Sequence, residues 1–446
     1  MRRLITVRRR AMTALAAAGA AAGLAAAGCG SHGGPSTAGS LGSSVPATGR
    51  VSLGQPVVVT RRANGPSYLT AAGNAKAGGD LYAAWTTYAA NPNVAYTWLT
   101  RTTDGGHTWS RPERLGSGTA SQPQLAVADD GTLYAIWSEF NPHVGLHAAN
   151  PSCTNPTLLM FAVSRDHGAH WSRARAVAPG NGRVCQLYGS IALGSDGRQL
   201  AISWFDYTSD PGADATVVQA VRSTDGGASF GAPQSLANAC VCCTARGLAV
   251  DGRPALLFRG WQDVGPGGQL RNPVLAVADS AGGWQPTRVV HDDQFRFRVC
   301  PHSGLGAATD AHGTSYLSWW TGAPGREGYW YATTHDGLKF SAPVRLTTQH
   351  ADPMDGDVHV SVDRDQRIWI TAMKTPGPDS VDSDSMVMSP DTSVHGWIVD
   401  SSGVHPLPLV AARGSEPASA ASSIGAAAVW VQGSAIMARS MEAERR

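Results

Sequence analysis

The residues best suited to chemistry are cysteines. Cys240-Val241-Cys242-Cys243 is followed by Cys300-Pro301-His302, and Cys153 and Cys185 lie upstream. Two chemistries compete for them. An exported chain with an even number of cysteines forms disulfides, here up to three among Cys153, Cys185, Cys240, Cys242, Cys243 and Cys300, with the pairing open. Alternatively, Cys240, Cys242, Cys243, Cys300 and His302 make a soft donor set for copper or zinc. The cluster lacks the paired Cys-x-x-Cys knuckles of an ordinary zinc fold. A third group, His350, Asp352, Met354, Asp355, Asp357 and His359, adds polar donors further along.

The elements that position these residues are marked by a repeat. Thr102-x-Asp104-x-Gly106-x-x-Trp109 returns as Ser164-x-Asp166-x-Gly168-x-x-Trp171 and as Ser223-x-Asp225-x-Gly227-x-x-Phe230, with the aspartates 62 and 59 residues apart. Periods of this length point to propellers or solenoids. Asp and Ser/Thr side chains bond backbone groups within a tight turn, and Gly supplies a positive φ. The aspartates are therefore structural. Decayed copies are expected at Asp279–Trp284 and at Thr333–Phe340, the latter with His335 in the Asp place.

Between these turns run apolar strands, a turn and a strand ending near an aromatic residue. The aromatics are Trp85, Trp137, Trp204, Phe258, Trp319, Trp369 and Trp430. Seven copies predict an all-β chain, a β-propeller of four-stranded blades with seven blades favoured and six as the alternative. The last copy lacks an outer strand, and Val51–Thr60 can supply it and close the ring. Closure removes free sheet edges, so a monomer is expected.

The Asp-box turns make the chain resemble sialidase-like, BNR-repeat propellers over essentially all of residues 50–446. Cys-x-Cys-Cys followed by Cys-Pro-His also resembles a subset of exported sialidase-like proteins. The resemblance implies a ligand site on the face bearing the loops that lead into each innermost strand, where all six of these cysteines fall. It implies two possible roles there: a ligand- or partner-binding surface, or an exo-sialidase type of glycoside hydrolase. For the hydrolase, the resemblance points to Arg259, Arg271 and Arg326 with Tyr329 and Glu327, and Asp263 and Glu139 lie on loops of the same face. The Arg-Ile-Pro motif of catalytic members is missing from Val58–Pro66.

The first 28 residues read as an export signal. Arg2, Arg3, Arg8, Arg9 and Arg10 precede an Ala/Gly/Leu run that ends in Ala26-Ala27-Gly28-Cys29. Cys29 is the expected lipidation site, which would anchor the chain to membrane lipid on the extracytoplasmic side. Residues 29–49, rich in Gly, Ser and Pro, form a flexible tether. The formal charge of +2 becomes −3 once the five signal arginines are removed. A near-neutral surface without a basic stripe excludes nucleic acid and leaves a glycan or cell-envelope partner.

Overall fold

Alternating apolar residues between turns fold into antiparallel sheets, and the chain follows this pattern throughout. The structure, a computed structural model, describes residues 48–445 apart from 62–63, 91–93, 117, 141–156, 179–184, 208–214, 241–242, 266–267, 298–302, 348–357 and 375–391. Cys29, Cys153, Cys242, Cys300 and His302 lie outside the described residues, as do the signal and the tether. The described residues belong to one unit, Ser43–Arg446, and contain no α-helix.

Sheet 1 comprises Ser67–Gly73, Leu81–Tyr88, Ala95–Thr102 and Glu113–Leu115. Sheet 2 is Ala120–Val127, Leu133–Phe140, Thr157–Ser164 and Arg175–Ala176. Sheet 3 is Cys185–Leu193, Leu200–Tyr207, Ala215–Ser223 and Gln234–Cys240. Sheet 4 runs through Arg246–Val250, Arg253–Arg259, Pro273–Val277 and Arg288–Val289. Sheet 5 has Leu305–Thr309, Ser315–Thr321, Gly328–Thr334 and Val344–Arg345; sheet 6 has Val358–Val362, Ile368–Lys374, Ser393–Asp400 and Gly403–Pro406. Sheet 7 takes Ser415–Ala421, Ala426–Gln432 and Ala435–Arg445 from the C-terminus. Its outer edge is made by Thr48–Leu53 and Val57–Thr60, both antiparallel to Ala435–Arg445. A small sheet of Gln262–Asp263, Gln269–Leu270 and Arg296–Phe297 lies beside sheets 4 and 5 in the chain.

The first strands of successive sheets pack against one another, from sheet 1 through to sheet 7, and the first strand of sheet 7 packs on that of sheet 1. The core lies between sheet faces. Tyr82 and Leu99 of sheet 1, for example, share a cluster with Leu125 and Trp137 of sheet 2. Trp85, Trp137, Trp204, Trp319 and Trp430 each stand fifth in the second strand and are at most 2% exposed. Two aromatics depart from the expected repeat. Phe258 is sixth in its strand and Trp369 second, so Leu257 and Ala372 take the fifth place in sheets 4 and 6. The indole of Trp369 instead donates to Asp363 Oδ2 at 2.9 Å.

The Ser/Thr-x-Asp turns are built alike. Thr102 Oγ1 donates to Asp104 Oδ1 at 2.7 Å and accepts from Gly106 N at 3.1 Å, while Thr108 N donates to Asp104 Oδ1 at 2.9 Å. Ser164 with Asp166, and Ser223 with Asp225, repeat these bonds. Trp109 Nε1 closes the first turn on Gly106 O at 3.2 Å. In the Thr333–Phe340 copy His335 is not the aspartate equivalent. Thr334 and Asp336 hold the turn, with Gly337 N donating to Thr334 Oγ1 and both Leu338 N and Lys339 N to Asp336 Oδ1. One residue fewer separates Asp from Gly, which displaced the frame.

These bonds favour ionised carboxylates. Thr108 and Thr102 draw Asp104 down from 3.8 to about 2 against the opposing effect of burial, and His170 and Ser164 draw Asp166 down to about 2. Asp225 and Asp336 are lowered as well. A depressed carboxylate contributes stability that is complete above its unfolded value and is lost as pH falls through the folded one. The melting temperature is therefore expected to decline as pH drops below about 4 towards 2, a decline spread over all four turns. Replacing Asp104, Asp166 and Asp225 together by Asn should flatten that limb in a pH series of thermal melts.

Candidate functional site at the channel mouth

Four first strands begin with a bulge. Pairing slips between Ser415 and Ala418 in sheet 7, Ser67 and Thr70 in sheet 1, Ser121 and Gln124 in sheet 2, and Leu187 and Ser190 in sheet 3. Each bulge holds a non-glycine residue at positive φ: Glu416 at 46°, Tyr68 at 53°, Gln122 at 57° and Tyr188 at 52°. First strands of sheets 4, 5 and 6 pair regularly. A residue held there costs on the order of 1–3 kcal/mol and persists only when its surroundings impose it. Bulges re-aim side chains and gather beside functional sites.

The surroundings that impose it run from sheet to sheet. Glu416 Oε2 of sheet 7 accepts from Leu69 N of sheet 1 at 3.1 Å. Thr86 Oγ1 of sheet 1 accepts from Gln122 N of sheet 2 at 3.0 Å. Gln122 Oε1 in turn accepts from Tyr188 N of sheet 3 at 2.8 Å. The bulges of sheets 1, 2 and 3 thus each give a backbone N–H to a side chain of the preceding sheet.

Tyr68 and Tyr188 meet edge to face, with ring centroids 6.2 Å apart. With Leu69, Gln122, Gln124, Gly189, Thr244 and Arg246 they line a recess of about 20 Å³. Tyr88, at the end of the second strand of sheet 1, is pushed up by burial, by Tyr68 and by Glu416.

Arg246 forms the floor. Its Nε donates to Leu305 O of sheet 5 at 2.8 Å, Nη1 to Gln124 Oε1 of sheet 2 at 3.4 Å, and Nη2 to His359 Nε2 of sheet 6 at 3.0 Å. Thr70 Oγ1 donates to the same Gln124 oxygen at 3.5 Å. This polar layer borders a cavity of about 100 Å³, and a larger one of about 340 Å³ is lined by the first strands of all seven sheets. As acceptor of an arginine bond, His359 is neutral, and burial followed by the Arg246 charge holds it well below 6.5. The sign for a depressed histidine follows: below 6.5 the unfolded chain takes up a proton that the folded chain refuses, so stability falls. His359→Gln is expected to remove that component, leaving a flatter denaturation midpoint between pH 7 and 5.

The arginines named from the sequence sit elsewhere. Arg259 and Arg271 are wholly buried; Arg259 bonds three backbone carbonyls and Arg271 stacks on Trp261 at 3.4 Å. Tyr329 is 2% exposed and donates to Met373 O at 2.6 Å. Arg326 packs on Trp330 and faces Asp293 at 3.4 Å, and Glu327 Oε1 accepts from Gly325 N. Glu139 accepts the Trp137 indole N–H at 2.7 Å, and Asp263 is exposed in the small sheet. None of these residues lines the recess or the two cavities below it.

Cys185 opens the first strand of sheet 3 and is disulfide-bonded. Cys240 and Cys243 are buried with their sulfurs 3.4 Å apart, beyond the about 2.05 Å of a disulfide. Sequence reading missed Tyr68, Gln122, Tyr188, Arg246 and Glu416. One local signal existed: Ser121-Gln122-Pro123 and Ser415-Glu416-Pro417 repeat a Ser-polar-Pro triplet at the same strand position.

No known family profile matches the chain, and no curated protein does. Solved structures do. A protein of unknown function from Dyadobacter fermentans is 14% identical, with 88% of this chain and 99% of that one covered and a TM-score of 0.52. The NanB sialidase of Streptococcus pneumoniae is 12% identical over 73% of this chain and 68% of that one, at a TM-score of 0.50. An α-L-arabinofuranosidase of Fusarium graminearum is 14% identical, covering 78% and 98% of the chains, with a TM-score of 0.49. At such identities the likeness to the first two is one of fold, a sialidase-like β-propeller.

Proposed function

We propose that this chain is a lipid-anchored, extracytoplasmic propeller of seven blades that binds a glycan of the cell envelope at its channel mouth. The observation that carries the reading is the run of four bulges across sheets 7, 1, 2 and 3, which gathers two tyrosines, amide side chains and Arg246 around one recess. Tyrosine faces pack on sugar rings, and amides and a guanidinium bond hydroxyl or acidic groups, as concave polar sites require. The cyclic order of first-strand packing and the N-terminal strands on sheet 7 support seven blades and closure. The export signal and Cys29 support the anchor and the location.

A glycoside hydrolase is the second reading. It rests on the fold shared with a sialidase and on Tyr88, raised beside Tyr68 and Glu416. Fold alone does not carry activity. A panel of fluorogenic glycosides and an array of defined acidic and neutral glycans separate the two. Binding without release supports a binding protein, whereas turnover that disappears in Tyr88→Phe supports the hydrolase. Neither binding nor turnover on any glycan would count against both.

A further inference from the structure

We propose that the glycan is taken by its chain end, with a hydroxymethyl arm of the last residue passing between Tyr68 and Tyr188 into the polar cavity beneath them. This rests on the glycan reading and adds which part of the sugar the site selects. The two rings meet edge to face, and the recess that they line has about 20 Å³. That is space for little more than one water, so no sugar residue fits until the rings part. The backbone around them is held, by Leu69 N on Glu416 and by Tyr188 N on Gln122. Opening is therefore a turn of the side chains, and the Tyr188 ring also packs on Phe205 with centroids 6.4 Å apart.

Gln124 and Arg246 line both the recess and the cavity of about 100 Å³, so the cavity starts where the recess ends. Its polar lining follows from the bulges. Two residues past the positive-φ residues of sheets 1, 2 and 3 stand Thr70, Gln124 and Ser190, all lining the cavity. In sheet 7 that place is Ala418, and the hydroxyl comes one residue later, at Ser419. Ser419 is 4% exposed and lines both this cavity and the larger one of about 340 Å³. Its Oγ has no hydrogen-bond partner among the described residues, whereas Thr70 donates to Gln124. A buried hydroxyl left so costs free energy that a polar occupant of the cavity recovers.

The occupant is a hydroxyl rather than an acid. Arg246 spends its Nε, Nη1 and Nη2 on Leu305 O, Gln124 Oε1 and His359 Nε2. A carboxylate brought here must take those bonds for itself or stay buried without a partner. A hydroxyl donates and accepts, as Ser419 Oγ does, and carries no charge to desolvate. Among sugar hydroxyls, one on an exocyclic carbon stands out from the ring, so the ring can stay against the tyrosine faces. An internal residue carries a neighbour on each side, too wide for the space between one pair of rings.

The protein is applied to an array of glycans ending in glucose, galactose or mannose, each beside its match with a 6-deoxy last residue. Wild type is expected to bind at least one 6-hydroxyl end at least about tenfold tighter than its match. In Ser419→Ala that ratio is expected to fall below about threefold, with the 6-deoxy glycan bound as before. If the variant does not fold, a crystal structure of wild type with the best-bound glycan decides. A 6-hydroxyl within about 3 Å of Ser419 Oγ supports the proposal, and one turned to solvent overturns it. Equal binding of matched glycans, or an undiminished ratio in folded Ser419→Ala, overturns it while the glycan reading stands. Capture of no glycan removes that reading and this one with it.

Discussion

Arg259→Met is expected to lower folding stability by about 3–5 kcal/mol, the scale of breaking a buried charged network. Arg259 ends the second strand of sheet 4 with no exposed surface. Its Nε donates to Ser303 O at 3.3 Å, Nη1 to Arg271 O at 2.9 Å and Nη2 to Trp320 O at 2.9 Å. These carbonyls belong to the segment leading into sheet 5, the loop before the third strand of sheet 4, and the second strand of sheet 5. Methionine fills the space of the arginine stem but offers no donor. Three carbonyls lose their partner, each at a cost of about 1–3 kcal/mol where water cannot reach it. Urea unfolding measures the effect. An arginine held only for a substrate carboxylate would leave the midpoint within about 0.5 kcal/mol of wild type.

Gly73→Ala is expected to cost about 3 kcal/mol, the upper end for overpacking. A Cβ on Gly73 would stand 2.4 Å from Ala421 O and 2.5 Å from Leu81 Cδ2. Leu81 can turn aside, but Ala421 O is backbone of sheet 7, so the first strands of sheets 1 and 7 would have to part. The same logic applies at Gly247, where a Cβ would lie 2.0 Å from Ile191 O of sheet 3. Gly231→Ala is the control: its nearest neighbour would be Arg222 O at 3.7 Å, ordinary contact. If Gly73→Ala unfolds at the same denaturant concentration as Gly231→Ala, sheets 7 and 1 are not packed as described and the ring does not close.

The parts legible in the sequence were those whose bonds are local. Every bond of the Asp104 turn joins residues at most four apart, so the Ser/Thr-x-Asp spacing carries the whole structure of the turn. Where one residue was lost, at Thr334-His335-Asp336-Gly337, the spacing rule misplaced the aspartate. Trp369 misled for a different reason. An aromatic residue in the right neighbourhood says nothing of its register, and Asp363 holds this one three places early.

The channel mouth was illegible because its bonds are the opposite of local. Leu69 and Glu416 are 347 residues apart, and Arg246 lies 113 residues from His359 and 122 from Gln124. Only the packing of the first strands against one another brings them together. Arginine is ambiguous in sequence for a related reason. Arg259 and Arg246 both bond backbone carbonyls, yet one is sealed inside the protein and the other floors a cavity.

The most direct test of the account is glycan-array binding by the double variant Tyr68→Ala/Tyr188→Ala. The two side chains are half-buried where they line the recess, and Tyr188 also packs edge to face on Phe205. Binding of whichever glycan the wild type captures is predicted to weaken at least about tenfold, equivalent to about 1.4 kcal/mol, in a double variant that still unfolds cooperatively. Undiminished binding by a folded double variant would contradict the channel mouth as the ligand site.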